Sequence, residues 1–87
     1  MNPMITPSWI DDIVRACHWQ TFVAFDRCAV VVCELPNGFI LSESSSVESP
    51  AAFSQELAIA ICSDRIINKI WELEEYRLSS VSEAANA

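Results

Sequence analysis

Residues 28–44, CAVVVCELPNGFILSES, are the most informative stretch of the chain, because two runs of strand-forming residues flank a tight turn. The dipeptide Asn37-Gly38 tolerates the positive φ angles that a short hairpin requires. Residues 28–35 are therefore predicted to pair antiparallel with residues 39–44.

A third strand is predicted before this hairpin, over residues 21–25, where Phe22, Val23 and Phe25 supply β-branched and aromatic side chains. In the hairpin itself, residues 29–33 are apolar at every position instead of alternating with polar residues. Such a run is typical of a strand that is covered on both faces. We therefore expect a β-hairpin or a three-stranded sheet whose central residues are buried on both sides.

The first helix is predicted over residues 7–17. The hydroxyl of Thr6 can accept a hydrogen bond from an early helical amide, and Pro7 fits the first helical position, where no donor is needed. Apolar side chains then recur at helical spacing, which indicates one buried face.

The second helix is predicted to begin at Ser49-Pro50, which repeats the same start signal. No Gly or Pro occurs between residues 51 and 77, so the helix is expected to be long. Placed at steps of about 100° per residue, its apolar side chains form two neighbouring stripes. The first stripe contains Phe53, Leu57, Ala60, Ile67 and Trp71. The second stripe contains Ile59, Cys62, Ile66, Ile70 and Leu73.

These elements predict an α+β fold, in which an N-terminal helix and an antiparallel sheet are followed by a long C-terminal helix lying on the sheet. The chain of 87 residues has room for one domain, predicted over residues 1–78. Residues 79–87 are small and polar, and we expect them to form a disordered tail.

The apolar content of 52% is high for so short a chain, because a small domain cannot bury that much apolar surface alone. The two stripes of the second helix together form a wider arc than one sheet face covers. We expect the second stripe to contact the first helix or another chain, and we predict a homodimer formed through it.

The net charge of −7 argues against general binding to nucleic acid, because that binding needs Lys and Arg to displace counterions from phosphates. It also argues against docking on anionic lipid, and the longest apolar run, residues 28–33, is far shorter than a membrane span. Residues 1–9 show no basic segment followed by an apolar one, so no secretory signal is visible. A cytoplasmic protein is expected.

The four cysteines are expected to be free thiols packed in the core, because a reducing cytosol keeps thiols reduced. Cys17, His18, Cys28 and Cys33 lack the close pairing of a structural zinc site. His18 is next to Cys17 in the chain, and adjacent residues at a helix end do not face one another as a nucleophile and its base must. We therefore predict no metal, no cofactor and no enzyme activity.

The runs NGFILSESSSVESPAAFSQEL and NKIWELEEY resemble a family of small tailed-phage proteins that is named after gene products of coliphage N-four and a Shigella phage. The likeness is ungapped over residues 28–78. The matching residues are Asn37, Gly38, Phe39, Glu43, Ser44, Pro50, Ala51, Phe53, Glu56, Asn68, Lys69, Ile70, Trp71, Leu73, Glu74 and Tyr76. The resemblance implies a phage or prophage accessory protein that acts in the cytoplasm of a bacterial host, and it implies no particular chemistry.

The chain departs from the family pattern at two places in the second helix. Ile59 and Ala60 stand where the family has basic residues, which makes this surface more apolar. Glu72 and Glu75 replace a Pro and a Gly, so the helix stop is lost and charge is added.

The acidic end, defined here as Glu72, Glu74, Glu75 and Tyr76, is a candidate interaction surface. Acidic side chains can occupy a channel rich in Lys and Arg by charge complementarity. We expect the protein to bind and inhibit a host protein, most concretely a nucleic-acid-binding defence complex, in the manner of an anti-CRISPR protein. The alternative is a transcription or replication accessory factor that binds a host polymerase or regulator.

Overall fold

The computed structural model describes the backbone of residues 5–86 and the side chains of residues 5–81. Along the chain the elements are α1 (Pro7–Ala16), β1 (His18–Ala24), β2 (Cys28–Glu34), β3 (Ile40–Ser46), a 3₁₀ turn (Pro50–Ala52) and α2 (Gln55–Asn86). The three strands form one antiparallel sheet in the order β1-β2-β3, and α2 packs on it. The predicted α+β fold is confirmed, and the sheet is three-stranded.

The start of α1 follows the predicted capping geometry. The Thr6 hydroxyl accepts a hydrogen bond from the Trp9 backbone N–H at 3.2 Å, and Pro7 is the first helical residue. The helix ends at Ala16, and Ile10 on its inner face is buried in the core.

The β2–β3 hairpin has the predicted turn. Gly38 has φ +90°, and the Leu35 N–H donates to the Phe39 carbonyl at 2.8 Å. The side chain of Asn37 also accepts a hydrogen bond from the Phe39 N–H at 3.0 Å, which fixes the turn locally. The predicted pairing is confirmed, with Glu34 opposite Ile40.

The β1–β2 hairpin turns without a glycine. Phe25 and Asp26 have φ +55° and +56°, the left-handed region that L residues with a side chain rarely adopt. The predicted third strand is confirmed, although β1 begins at His18 rather than at residue 21.

The two faces of β2 are buried unequally. Ala29, Val31 and Cys33 face α2 and are fully buried. Val30 and Val32 point to the other face and are only half-buried. The expectation that both faces are covered is therefore wrong, because α2 covers a single face of the sheet.

Most of the second apolar stripe lies in the core rather than at an interface. Cys62, Ile66 and Ile70 are at most 1% exposed, and Ile59 is half-buried against the same cluster. Consecutive buried residues lie four apart, and each step of four advances about 40° around a helix. The line they trace therefore winds slowly around α2, as a helix crossing a twisted sheet requires.

The first stripe is the one that is partly left to solvent. Leu57 is 61% exposed, and Trp71 is half-buried beside the core cluster. Of the two contacts predicted for the second stripe, the one with the first helix is present, since Ile10 of α1 lies in the same buried cluster. The prediction of a contact with another chain must be corrected for Cys62, Ile66 and Ile70, which are buried within the protomer.

The ends of α2 also differ from the prediction. The helix begins at Gln55 rather than at Pro50, because Ser54 caps it and accepts a hydrogen bond from the Leu57 N–H at 3.3 Å. At the other end, residues 79–86 are helical where a disordered tail was expected, since no Gly or Pro stops the helix there. Residue 87 lies outside the described residues, and the domain boundary at 78 stays a prediction.

Candidate protein-binding groove

A groove lies between α2 and the start of β3. It encloses about 430 Å³. Its lining residues, which define the α2 groove, are Phe39, Leu41, Lys69, Glu72, Leu73 and Tyr76.

Local structure positions both walls of the α2 groove. On α2 the lining residues follow one another at spacings of three, one and three, so they share one side of the helix. On the opposite wall, Phe39 directly follows the Asn37-Gly38 turn, and its N–H is held by the Asn37 side chain. The hairpin turn that was read from the sequence therefore also places an aromatic ring at the groove.

The walls of the groove are apolar and accessible. Phe39 is 53% exposed, Leu73 is 39% exposed and Tyr76 is 74% exposed. Large aromatic side chains that are exposed around a concave surface are the kind of residue that supplies binding energy in protein interfaces. This arrangement suits an apolar side chain of a partner as the anchor.

The charge at the groove is mainly acidic. Lys69 is neutralised, because its Nζ lies 3.0 Å from Glu43 Oε2 on β3. Glu72 and Glu75 are one helical turn apart and exposed, and they form no ion pair with any side chain in the described part of the protein. An acidic rim therefore stands beside the apolar walls.

The structure divides the predicted acidic end. Glu72 and Tyr76 lie in the groove, and Glu75 neighbours Glu72. Glu74 instead accepts a hydrogen bond from Arg77 at 2.8 Å, and its side chain is only 18% exposed. Glu74 is therefore paired and less accessible than the other three residues, and the interaction role of all four stays a prediction.

The predicted apolar stripe also reaches the groove at one residue. Leu73 lies on its wall, although it was assigned to the dimer surface, while Cys62, Ile66 and Ile70 lie beneath in the core. Sequence reasoning missed Phe39 as a site residue. Its position directly after the Asn-Gly turn is the signal that could have identified it.

A second exposed apolar surface lies on β1 and the turn that follows it, and sequence reasoning did not identify it. Phe22 is 54% exposed, Val23 is 41% exposed and Phe25 is 86% exposed. A bulky residue in the left-handed region stores backbone strain, and such strain occurs preferentially at functional sites. The signal in the sequence is a Phe-Asp turn in place of a glycine-containing one.

The cysteines lie in or beside the core. Burial raises the pKa of Cys33 to about 12, with a further contribution from the neighbouring Cys17, and burial also raises the pKa of Cys62. A thiol that stays protonated is a poor nucleophile and a poor metal ligand. Among the described residues, no three His, Cys, Asp or Glu side chains are grouped so that they could hold a metal ion.

Comparison with known proteins identifies a phage family. The model of the Phage protein (N4 Gp49/phage Sf6 gene 66) family matches residues 5–81, and its description names no enzymatic activity. No curated protein and no solved structure matches the chain. Within residues 5–86, no helix combines the length and the apolar character needed to cross a membrane.

Proposed function

This chain belongs to the Phage protein (N4 Gp49/phage Sf6 gene 66) family, and from that premise we propose that it is a phage accessory protein that binds and inhibits a host protein. The observation that carries the proposal is the α2 groove, with exposed Phe39 and Tyr76 beside the acidic Glu72. The partner that fits it is a protein segment with an apolar anchor next to Lys or Arg.

The anchor and the charge would act together. Burying an apolar side chain of the partner between Phe39 and Tyr76 is favourable, because apolar surface leaves water. A Lys or Arg next to it in the partner then lies close to Glu72. Because the desolvated apolar contact carries most of the energy and the charges mainly speed and orient the encounter, the aromatic residues are expected to matter most.

The overall charge supports a basic partner. The chain carries 12 acidic and 5 basic residues, so a Lys- and Arg-rich surface would attract it over a distance. Proteins that handle nucleic acid present such surfaces, and a defence complex in the host cytoplasm is the most concrete target. Occupying its nucleic-acid channel would give an anti-CRISPR-like inhibition by protein contact alone.

The side-chain chemistry supports binding over catalysis. Cys33 and Cys62 are held as neutral thiols by burial. His18, the one histidine of the chain, contacts Glu34 at 3.2 Å on the surface of the sheet, where its side chain is 85% exposed. An imidazole so open to water has no enclosed pocket around it that could hold a substrate.

The test is a comparative capture from lysate of a bacterial host, followed by binding measurements with the purified partner. Tyr76→Ala removes the aromatic wall, and Glu72→Lys reverses the rim charge. Asp64→Lys is the matched control, since it makes the same charge change on an exposed residue of α2, two turns from Glu72 and outside the groove.

We expect a host protein that is retained by the wild type and by Asp64→Lys, and that is lost with Tyr76→Ala and Glu72→Lys. Its activity should fall when the wild-type protein is added. Equal capture by all four proteins would refute the groove as the binding site. Capture of a polymerase or regulator whose activity is not inhibited would support the alternative, an accessory factor in transcription or replication.

A further inference from the structure

β1 is an edge strand that lies open to solvent. Gln20, Thr21, Phe22 and Val23 are all exposed, although successive residues of a strand point to opposite faces. Both faces in the middle of β1 are therefore accessible, and so is its free edge.

The hydrogen-bond alternation of the sheet identifies which backbone groups of β1 are free. Leu35 on the β2 side pairs with Phe39 through the bond from its N–H to the Phe39 carbonyl. In an antiparallel ladder such pairs recur at every second residue, so the odd-numbered residues of β2 bond to β3 and the even-numbered ones bond to β1. Val30, for example, pairs with Phe22, which therefore directs its N–H and C=O toward β2.

The remaining residues of β1 direct their backbone groups outward. These are Trp19, Thr21 and Val23. They present a row of three donors and three acceptors along an edge about 23 Å long, at about 3.3 Å per residue.

Among the residues that the structure describes, 5–86, the usual protection against strand addition is lacking on this edge. Native sheets protect an open edge with Lys, Pro, a bulge or a covering element. β1 reads HWQTFVA, without proline and without Lys, Arg, Asp or Glu, and its pairing with β2 is continuous from His18 to Ala24.

We infer that β1 pairs with β1 of a second copy of this chain, antiparallel about a two-fold axis at Thr21. In this register Thr21 lies opposite the partner's Thr21, and Trp19 lies opposite the partner's Val23. In an antiparallel ladder the numbers of paired residues add up to a constant. With Thr21 opposite Thr21, the outward N–H and C=O groups of Trp19, Thr21 and Val23 therefore all bond to outward groups of the partner strand. No other register satisfies all three residues on both chains.

Charge and burial both favour a second copy as the occupant. Two chains of net charge −7 repel each other, but β1 carries none of the 12 acidic residues, so the contact brings two uncharged strips together. The exposed side chains of Phe22 and Val23 lose solvent-accessible apolar surface in this contact.

The size of the contact sets its strength. The surface area that a single strand edge can bury is smaller than the roughly 800 Å² per partner that a stable interface buries. The proposed dimer is therefore weak and reversible. It places the two α2 grooves at opposite ends of a six-stranded sheet, because β3 is the far strand of each protomer.

Sedimentation velocity over a concentration series tests the inference with two matched variants. Thr21→Pro removes an outward N–H of β1 without removing a bond to β2. Ser42→Pro likewise removes an outward N–H of β3, because the even-numbered residues of β3 direct their backbone N–H and C=O groups away from β2. We expect the wild type and Ser42→Pro to dimerise alike, and we expect Thr21→Pro to raise the dissociation constant at least about tenfold, since two intermolecular bonds are lost.

Amide hydrogen exchange by NMR gives a second readout that does not depend on a variant. The amides of Trp19, Thr21 and Val23 should exchange slowly at high concentration and quickly at low concentration. The amides of Gln20 and Phe22 should be protected at both, because they bond within the protomer. If Thr21→Pro fails to fold, Thr21→Lys serves in its place, since it sets two like charges face to face at the axis.

Three results would overturn the inference. The first is a wild type that stays monomeric at every concentration. The second is a dimer that Thr21→Pro and Thr21→Lys leave intact. The third is a dimer that only Ser42→Pro disrupts, which would place the contact on β3.

Discussion

The two edge strands of the sheet differ in how the rest of the chain covers them. On β3, Arg65 donates a hydrogen bond to the outward carbonyl of Ser44 at 3.3 Å, and Lys69 pairs with Glu43 at 3.0 Å. Both cations come from α2, which packs on β2 and β3. One outward carbonyl of the β3 edge is therefore bonded from within the protomer, and α2 lies against that strand.

The β1 edge has the more apolar sequence and yet the less cover. Phe22 and Val23 are exposed, while Ser44 and Ser46 belong to the strand that the helix approaches. Burial of apolar surface would by itself favour the opposite arrangement. The position of α2 therefore determines which edge is open, and the exposed apolar strip on β1 is available for assembly.

The largest effect is expected from removing a buried side chain at the contact between α2 and the sheet. Ile66 is fully buried between α2 and the sheet, so Ile66→Ala should lower the free energy of unfolding by about 2–5 kcal/mol. Leu57→Ala on the same helix is the control, because Leu57 is 61% exposed and should cost far less. Urea denaturation measures both, and equal losses would show that α2 is not seated as described.

The next largest effect is a loss of stability at alkaline pH, caused by Cys33 on the face of the sheet that α2 covers. The pKa of Cys33 is about 12 in the folded protein against an ordinary value of 9.0, so the unfolded chain loses this proton first. The contribution of Cys33 to the free energy of unfolding is therefore fully present below pH 9.0, and it is lost as the pH rises toward about 12. One such thiol contributes about 1.4 kcal/mol per pH unit in that range. Urea denaturation of the wild type and Cys33→Ala should give different slopes with pH, and identical slopes would contradict the assignment.

A gain in stability is expected at the end of the open edge. Phe25 has φ +55°, and Asn tolerates this region better than an aromatic residue, so Phe25→Asn should raise stability by up to about 1 kcal/mol. Phe25→Leu keeps the unfavourable geometry and should give no gain. Thermal unfolding at low concentration, where the monomer prevails, makes the measurement. A stability lowered by Phe25→Asn would mean that the ring packs in the monomer.

The smallest effect is expected from the ion pair that links α2 to β3. Glu43→Gln should cost about 0.2–1 kcal/mol, because both partners are partly exposed and the pair is screened by salt. A double-mutant cycle with Lys69→Met, at low and high salt, isolates the coupling. If the cycle shows no coupling at low salt, the β3 edge is covered by packing alone and the contrast with β1 is weaker than described.

Much of the fold could be predicted because its signals are local. Asn37-Gly38 specified a hairpin through its φ angles, and Thr6-Pro7 specified the start of α1 through a cap. The start of α2 was misplaced, because Ser49-Pro50 begins only a 3₁₀ turn while Ser54 makes the capping bond.

The candidate site could be predicted only in part. Glu72, Leu73 and Tyr76 were identified, but they were assigned to two separate surfaces. Phe39 joins them only because the β2–β3 hairpin ends beside α2, which no local pattern indicates. The pairing of Glu74 with Arg77 was likewise not apparent from the charge count.

The element types, the hairpin register and the overall acidity follow from the sequence alone, since these depend on backbone preferences and on composition. The side of α2 that faces the sheet is set only when the elements pack together. Because α2 is apolar around a wide arc, several rotations about its axis bury similar amounts of surface, and the choice rests on how its side chains fit a twisted sheet. That rotation placed Ile66 in the core and Tyr76 in the groove, and the position of α2 over β2 and β3 left β1 open.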